Sequence, residues 1–469
     1  MAGGDRKMHI VVFPWLAFGH MIPFMELAKF MAKKGHKVSF VSTTRNIERL
    51  PKLPPEFESL IDLVKLTLPP VEGLQPNAEA TTDVGFDEVH FLKAAFDKLE
   101  PEFTRFIESS PPDWIIHDYA HWWVAPAARK VGSLCIFFSI MSGWFTALAG
   151  PPKKLLDPSG PPPPPPEGRQ PDFIPFPTDV TFRPYQLRRM MKLAGTANAS
   201  GVTDFYRHGS SVTGSEAFAL RYCREFEGQW LPVLEKLNEI PSIPVGIMPA
   251  VVPEDSPTEP PNPQWVSIKD WLEKQSPESA VYVALGSEVS LTQEELTELA
   301  HGLELSGMPF FWALKKSKSV QLPDGFEERI GDRGIVWSGW APQVRILAHP
   351  SVGGFLTHCG WSSTIEGIQF GRPLIMLPFM VDQGPNALLL AGRQLGLEIP
   401  RDETDGSYTR NDVAETIKAV VTGKIYREKI KEQSVVFSDK ALHDRYLEEF
   451  LEFLENHRKS KAKAVKKAE

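Results

Sequence analysis

Short apolar, β-branched runs alternate with helix-period segments along almost the whole of this chain, and that alternation constrains the fold more than any single motif. Residues 10–13 form the first such run, turn residues follow at 14–19, and from His20 a helical stripe places Phe24, Leu27, Ala28 and Met31 on one face. Residues 38–42 read as the next strand. The pattern continues with a helix over 92–109, a strand over 114–117, a helix over 123–131 and a strand over 135–139. Strands apolar on both faces, separated by helices, belong in a buried parallel sheet.

A proline-rich stretch at 249–263 interrupts the pattern, which then restarts. Strands are expected at 281–285, 310–314, 335–337, 353–356 and 374–377, with helices at 293–306, 344–348, 363–370 and 386–395. A chain of 469 residues that is 42% hydrophobic is long enough for two cores. The fold class is therefore α/β, with two Rossmann-like, doubly wound units over 1–248 and 266–440 joined by a linker at 249–265. A helix over 441–457 is expected to pack back on the first unit, and the basic tail 458–469 reads as a solvated end. The halves share a pattern but no sequence repeat. Residues 151–177, with an unbroken proline run at 161–166, read as a mobile surface loop rather than a peptide ligand.

A formal charge of −8 argues against nucleic acid, whose phosphates are held by clustered Lys and Arg. Cys135, Cys223 and Cys359 have neither disulfide nor metal-site spacing, which suits a reducing cytosol. Pro14 and Gly19 break the first apolar stretch, so no signal peptide is expected, and no run approaches the ~20 apolar residues of a membrane span. The sequon at Asn198 accordingly reads as chance. A cytoplasmic protein, monomeric by default, is the expectation.

In an open parallel sheet, ligands sit beyond the carboxyl ends of the strands. His20 closes the loop Pro14-Trp-Leu-Ala-Phe-Gly-His20, in which Gly19 permits close backbone approach. Alone, His20 reads as a surface or capping histidine. Asp118, however, ends another strand of the same expected sheet, and a carboxylate beside a neutral imidazole fixes its tautomer and stabilises the imidazolium after proton uptake. Spacing alone does not say whether the two meet. Leu285-Gly-Ser287 precedes a helix and offers amides and a hydroxyl to a phosphate, although a plain strand-ending turn explains it as well.

A denser group follows: Trp340-Ala-Pro-Gln343, then Thr357-His-Cys-Gly-Trp-Ser-Ser363, Glu366, and Asp382-Gln383. His358 follows a strand, and Gly360 to Ser363 lead into a helix whose N-terminal dipole and free amides favour a phosphate. Glu366 lies one turn beyond Ser362 and Ser363, placed to accept hydrogen bonds from ribose hydroxyls. Singly, Trp340 and Trp361 read as core aromatics and Cys359 as buried packing. Trp15, Phe18, Tyr119, Trp122, Met141, Trp144 and Phe379 fall near strand ends, where they would line an apolar pocket or simply pack the core.

The stretch from Trp340 to Gln383 closely resembles the signature box of plant family 1 UDP-glycosyltransferases, the secondary-product glycosyltransferases. The likeness extends through Phe13-Pro-Trp-Leu-Ala-Phe-Gly-His20 and Val283-Ala-Leu-Gly-Ser287, and looks strongest to the subgroup with members that add a sugar to a glycosylated acceptor. It implies a GT-B fold, with the acceptor bound by the first unit and a UDP-sugar, as co-substrate rather than bound cofactor, by the second. By resemblance, Trp340 stacks on uracil, and Ala341 and Gln343 contact base and ribose. Gly360, Trp361 and Ser362 belong to the same box; His358, Ser363 and Ser287 hold the diphosphate, Glu366 the ribose, and Asp382 and Gln383 the sugar, most simply glucose. Most members carry asparagine where this chain has Ser362, which bears on donor affinity and sugar choice. The seven apolar residues above would form the acceptor pocket.

These residues suggest inverting transfer, with His20 as base, Asp118 as its partner and no metal ion. UDP-rhamnose is the alternative donor. An NAD-dependent oxidoreductase shares the fold class, but no G-x-G-x-x-G follows the first strand. A non-catalytic binding protein would not need both His20 and Asp118.

Overall fold

Seven strands build the first sheet: β1 (His9–Phe13), β2 (Lys37–Thr43), β3 (Ile61–Leu66), β4 (Trp114–His117), β5 (Leu134–Ser139), β6 (Ala217–Leu220) and β7 (Ser242–Pro244). They lie in the order β3-β2-β1-β4-β5-β6-β7, every neighbouring pair parallel. The second sheet comprises β8 (Ala280–Ala284), β9 (Phe310–Ala313), β10 (Gly334–Trp337), β11 (Val352–Thr357), β12 (Leu374–Met376) and β13 (Gly396–Glu398), in the order β10-β9-β8-β11-β12-β13. Its pairs are also parallel. This computed structural model describes residues 7–157, 170–197, 199–253, 262–315 and 320–468. The proline run 161–166, Asn198 and linker residues 254–261 lie outside the described residues.

The central strands are dry on both faces. Ile10, Val11, Val12 and Phe13 of β1 are fully buried, as is each residue of β4 and β11. Burying a side chain of this size contributes about 1.5–3 kcal/mol, so their continuous apolar character is what the parallel sheet requires. Helices close around both sheets with ordinary end signals. Thr292 and Glu295 form a capping box at the start of Gln293–Ser306, and Gly307 ends that helix in the left-handed region.

Several elements differ from the sequence expectation. The helix expected over 92–109 is two helices, Val89–Asp97 and Glu100–Ser109, because Pro101 lacks the N–H that would continue the first and suits the opening turn of the second. The helix expected from His20 begins at Phe18. Not all of 151–177 is a loose loop: Gln170 donates to the carbonyls of Ile174 and Phe176 and accepts from Thr178 N–H, and Ile174 is buried. The basic stretch read as a solvated end continues the final helix, Lys440–Ala468. There Arg458 pairs with Asp113 at 3.2 Å and Lys461 with Glu216 at 3.0 Å, while Trp114 Nε1 donates to the Leu454 carbonyl. The last helix thus lies against the first sheet's layer.

The halves also meet directly. Trp144 and Trp361 pack edge to face with ring centroids 5.0 Å apart, and Trp361 Nε1 donates to the Arg221 carbonyl at 3.1 Å. Arg183 reaches Glu398 at 2.6 Å.

Candidate active site

Each sheet reverses its strand order at one place; His20 and Asp118 follow the strands that flank the first reversal and Ser287 and His358 those that flank the second, while Trp340 to Gln343 follow the edge strand β10 and Asp382 and Gln383 follow β12. In the first sheet β1 lies between β2 and β4, with Phe13 beside His117 in the register. The loops after β1 and β4 therefore emerge together at the carboxyl edge, where ligands enter such sheets. They bring His20 Nδ1 within 2.6 Å of Asp118 Oδ2 although the residues are far apart in sequence. Asp118 is held from three sides: Oδ2 also accepts from Trp15 N–H at 3.1 Å, and Oδ1 accepts from Tyr119 N–H at 2.7 Å. Pro23 inside the His20 helix cannot donate to the Gly19 carbonyl, which leaves the first turn partly open.

The environment sets the charges of this pair. Burial, the largest influence, disfavours the imidazolium, but the charge and hydrogen bond of Asp118, with Glu288 and Asp382 further off, together raise the His20 pKa above its ordinary value. Burial likewise disfavours the Asp118 carboxylate, and His20 and the Tyr119 amide outweigh it, holding the Asp118 pKa down. Since Asp118 engages Nδ1, the other ring nitrogen, Nε2, is the one available to a substrate proton.

In the second sheet β8 lies between β9 and β11, with Ala284 beside Thr357. His358 directly follows β11, and the turn holding Ser287 follows β8. A side chain on Gly286 or Gly360 would strike the His358 ring, at 2.8 and 2.5 Å, so the two glycines make its slot. Burial lowers the His358 pKa to about 4, leaving a neutral imidazole whose Nδ1 has no protein partner. Gly360 caps the helix Trp361–Gln369, whose Trp361 amide meets Asp382 and whose following amides belong to Ser362 and Ser363. Trp340 is 84% exposed, an unusual display for a large indole. Ala341 and Gln343 follow it, and Gln343 Nε2 donates to Glu366 at 2.7 Å and to Ser363 Oγ at 3.2 Å. Burial raises the Glu366 pKa against the pull of Gln343 and Arg221.

Asp382 and Gln383 stand where β12's loop enters the helix Gln383–Gly392. Val381, just before them, has φ 52°, a costly conformation for a β-branched residue. Gln383 Oε1 accepts from the amides of Phe379 and Met380 at 2.8 and 3.0 Å, so it is the Nε2 end that is left to meet a ligand. Burial raises the Asp382 pKa to about 6, opposed by the Asn386 side chain, backbone amides and His20.

A cavity of 1460 Å³ has His20 and Asp118 on one wall and Asp382 and Gln383 on another; Ser287, Trp340, Ala341, Gln343, His358, Ser363 and Glu366 are not part of its lining. Of the apolar candidates, Trp15, Tyr119, Met141 and Phe379 line it. Phe18, Trp122 and Trp144 do not. Phe18 packs beneath the Arg49 guanidinium, Trp122 donates from Nε1 to Asp97, and Trp144 is fully buried between the halves. Trp361 is also buried there rather than facing the cavity. Among the described residues no group of three or more His, Cys, Asp or Glu side chains is placed to hold a metal ion. No helix there is long and apolar enough to cross a membrane.

Sequence reading missed three contributors. Arg221, after β6, donates from one guanidinium nitrogen to Ser362 Oγ at 2.8 Å, and from others to the carbonyls of Ile247 and Met248. Burial lowers its pKa to about 10, leaving it cationic at neutral pH beside the Trp361–Gln369 N-terminus. Glu288 accepts from Thr81 Oγ at 2.7 Å across the cleft. Asn386 follows Asp382 by one helical turn, a spacing visible in the sequence.

Residues 242–465 match the family described as UDP-glucoronosyl and UDP-glucosyl transferase. Over 470 aligned residues the chain is 46% identical to UDP-glycosyltransferase 91D2 of Stevia rebaudiana, covering 98% of this chain and 97% of that protein. It is 41% identical to soyasaponin III rhamnosyltransferase of Glycine max over 462 residues, covering 97% of each. The solved structure of Glycyrrhiza uralensis UGT73P12, complexed with glycyrrhetinic acid 3-O-monoglucuronide, matches with a TM-score of 0.79 at 22% identity, covering 99% of both chains. Two Rossmann-like units closing on one cavity constitute the GT-B fold. The chain belongs to the plant family 1 UDP-glycosyltransferases, enzymes that take a UDP-sugar as co-substrate.

Proposed function

We propose that this glycosyltransferase moves a hexose, glucose in the first instance, from its UDP-sugar to a hydroxyl of a small lipophilic acceptor or of that acceptor's glycoside, with inversion. The carrying observation is the His20–Asp118 pair, 2.6 Å apart, opening into the same cavity as Asp382 and Gln383. His20 Nε2 takes the acceptor hydroxyl proton as that oxygen bonds to the anomeric carbon. The bond from that carbon to the β-phosphate oxygen breaks, and UDP leaves with the electron pair. Asp118 holds the neutral tautomer with Nε2 free and offsets the imidazolium, a general-base contribution on the order of 10² to 10⁴ in rate.

The second unit holds the donor in this reading. Trp340 stacks on uracil, Ala341 and Gln343 meet base and ribose, and Glu366 takes the ribose hydroxyls. The diphosphate lies at the amides opening the Trp361–Gln369 helix, with His358, Ser287 and Ser363 around it and the Arg221 charge behind Ser362. Asp382 accepts from one sugar hydroxyl while Gln383 donates to its neighbour.

UDP-rhamnose is the second reading, favoured by the 41% identity to a relative described as a rhamnosyltransferase. A panel of UDP-glucose, UDP-galactose and UDP-rhamnose with phenolic and terpenoid glycosides separates them. Loss of one paired hydroxyl costs about 1–3 kcal/mol, so UDP-glucose should exceed UDP-galactose by about one to two decades in kcat/KM. A clear preference for UDP-rhamnose or UDP-galactose contradicts the glucose assignment, and retained anomeric configuration in the product contradicts the mechanism.

A further inference from the structure

Asn386 is fully buried at the contact between the halves, and its side-chain amide makes four hydrogen bonds. Two come from the first half, where Ser142 Oγ and Trp144 Nε1 each donate to Oδ1 at 2.8 Å. Two go to the second half, where Nδ2 donates to Asp382 Oδ2 at 2.8 Å and to the Cys359 carbonyl at 2.9 Å. An indole N–H can only donate, whereas the Asp382 carboxylate and the Cys359 carbonyl can only accept, so partners in both halves agree on which end of the amide is oxygen. The two Nδ2 hydrogens then have one arrangement available, and one of them is spent on the Asp382 carboxylate.

We infer that Asn386 is a positioning residue that fixes the Asp382 carboxylate for the donor sugar, and that Ser142 and Trp144 of the first half brace it in that role. The inference rests on the reading of Asp382 as a sugar ligand. The two acceptors of Nδ2 lie in the second half and the two donors to Oδ1 in the first, so the first half braces the amide that meets Asp382.

Groups from several elements stand around the Asp382 carboxylate. His20 approaches from the first half, the Cys359 thiol from the loop after β11, and the Trp361 amide from the neighbouring helix. Burial keeps that thiol neutral. Burial also raises the Asp382 pKa, and the Asn386 donor pulls it down, so removing that donor keeps the carboxyl protonated to a higher pH. An ionised Asp382 is the sugar-accepting form, so the sugar-dependent part of donor affinity is lost as pH falls through the Asp382 pKa.

The test compares binding of UDP-glucose and of UDP alone by calorimetry across pH 5 to 8, without acceptor, so that proton removal by His20 plays no part. Asn386→Ala should lower UDP-glucose affinity about tenfold, leave UDP within about twofold, and shift the acid fall-off upward. Trp144→Phe keeps the ring that packs on Trp361 and removes only the Nε1 donor. It should act in the same direction by about three- to fivefold, and it stands as the test if Asn386→Ala does not fold. Equal losses for UDP and UDP-glucose, or an unmoved pH fall-off, would overturn the positioning role. Asp382→Ala serves as the control: if it fails to separate UDP-glucose from UDP, the sugar-ligand reading falls and takes this inference with it. A selective effect of Asp382→Ala with none from the other two overturns the inference alone.

Discussion

Asp118→Asn is nearly isosteric, yet the surroundings of Asp118 leave asparagine no good orientation. With its oxygen toward Tyr119 N–H, at the present 2.7 Å, the new NH₂ faces both Trp15 N–H and His20 Nδ1. His20 then accepts at Nδ1 and carries its proton on Nε2, the tautomer that cannot act as base. Rotating the amide restores His20 but sets NH₂ against the Tyr119 amide, leaving a buried donor unpaired at a cost of about 1–3 kcal/mol. Either way the base is impaired, and kcat/KM should fall by about 10² to 10⁴ while UDP affinity stays within about twofold. The pH profile supplies a second reading. His20 works when neutral, so activity falls as pH drops through its pKa, which Asp118 now holds above the ordinary value. Without that carboxylate, burial pulls the pKa down, so the acid fall-off should move to lower pH even as the plateau drops. Initial rates from pH 5 to 9 with saturating acceptor measure both. A plateau within tenfold of the parent enzyme, or a fall-off displaced upward, would refute the reasoning.

Trp340→Ala should reduce UDP affinity by about tenfold with little change in melting temperature, since the indole is 84% exposed and contributes little to the core. Calorimetry and a thermal scan check the two halves of that statement, and a collapse in stability would show the ring to be structural. Excess EDTA should leave turnover unchanged, because amides, hydroxyls and His358 are assigned to the diphosphate; activity lost to EDTA and restored by Mg²⁺ or Mn²⁺ would contradict that assignment.

Much of the fold was legible because buried parallel strands must be apolar on both faces, and β1, β4, β5, β8 and β11 carry that signature plainly. Short edge elements were not: β7 and β13 have three residues each, too few to show a period. Residues just after strands, such as His20, Asp118 and His358, could be nominated because topology places such positions together at one edge. Which of them touch depends on strand order, since β1 and β4 are neighbours only after the chain crosses over. Trp144 and Trp361 misled because a tryptophan near a strand end reads alike whether it faces a ligand or a second domain. Arg221 and Asn386 were passed over because each also reaches into the other half, Arg221 to Ser362 and Asn386 to Ser142 and Trp144, and no local pattern records those contacts.

The central claim is a division of labour, with proton removal on the first unit and the nucleotide grip on the second. The most direct measurement is His20→Ala, read by turnover with UDP-glucose and by calorimetric affinity for UDP on the same folded preparation. The account predicts a loss of turnover of about 10² to 10⁴ or more with UDP affinity within about twofold. Turnover retained within tenfold, or UDP affinity lost while the fold survives, would contradict it.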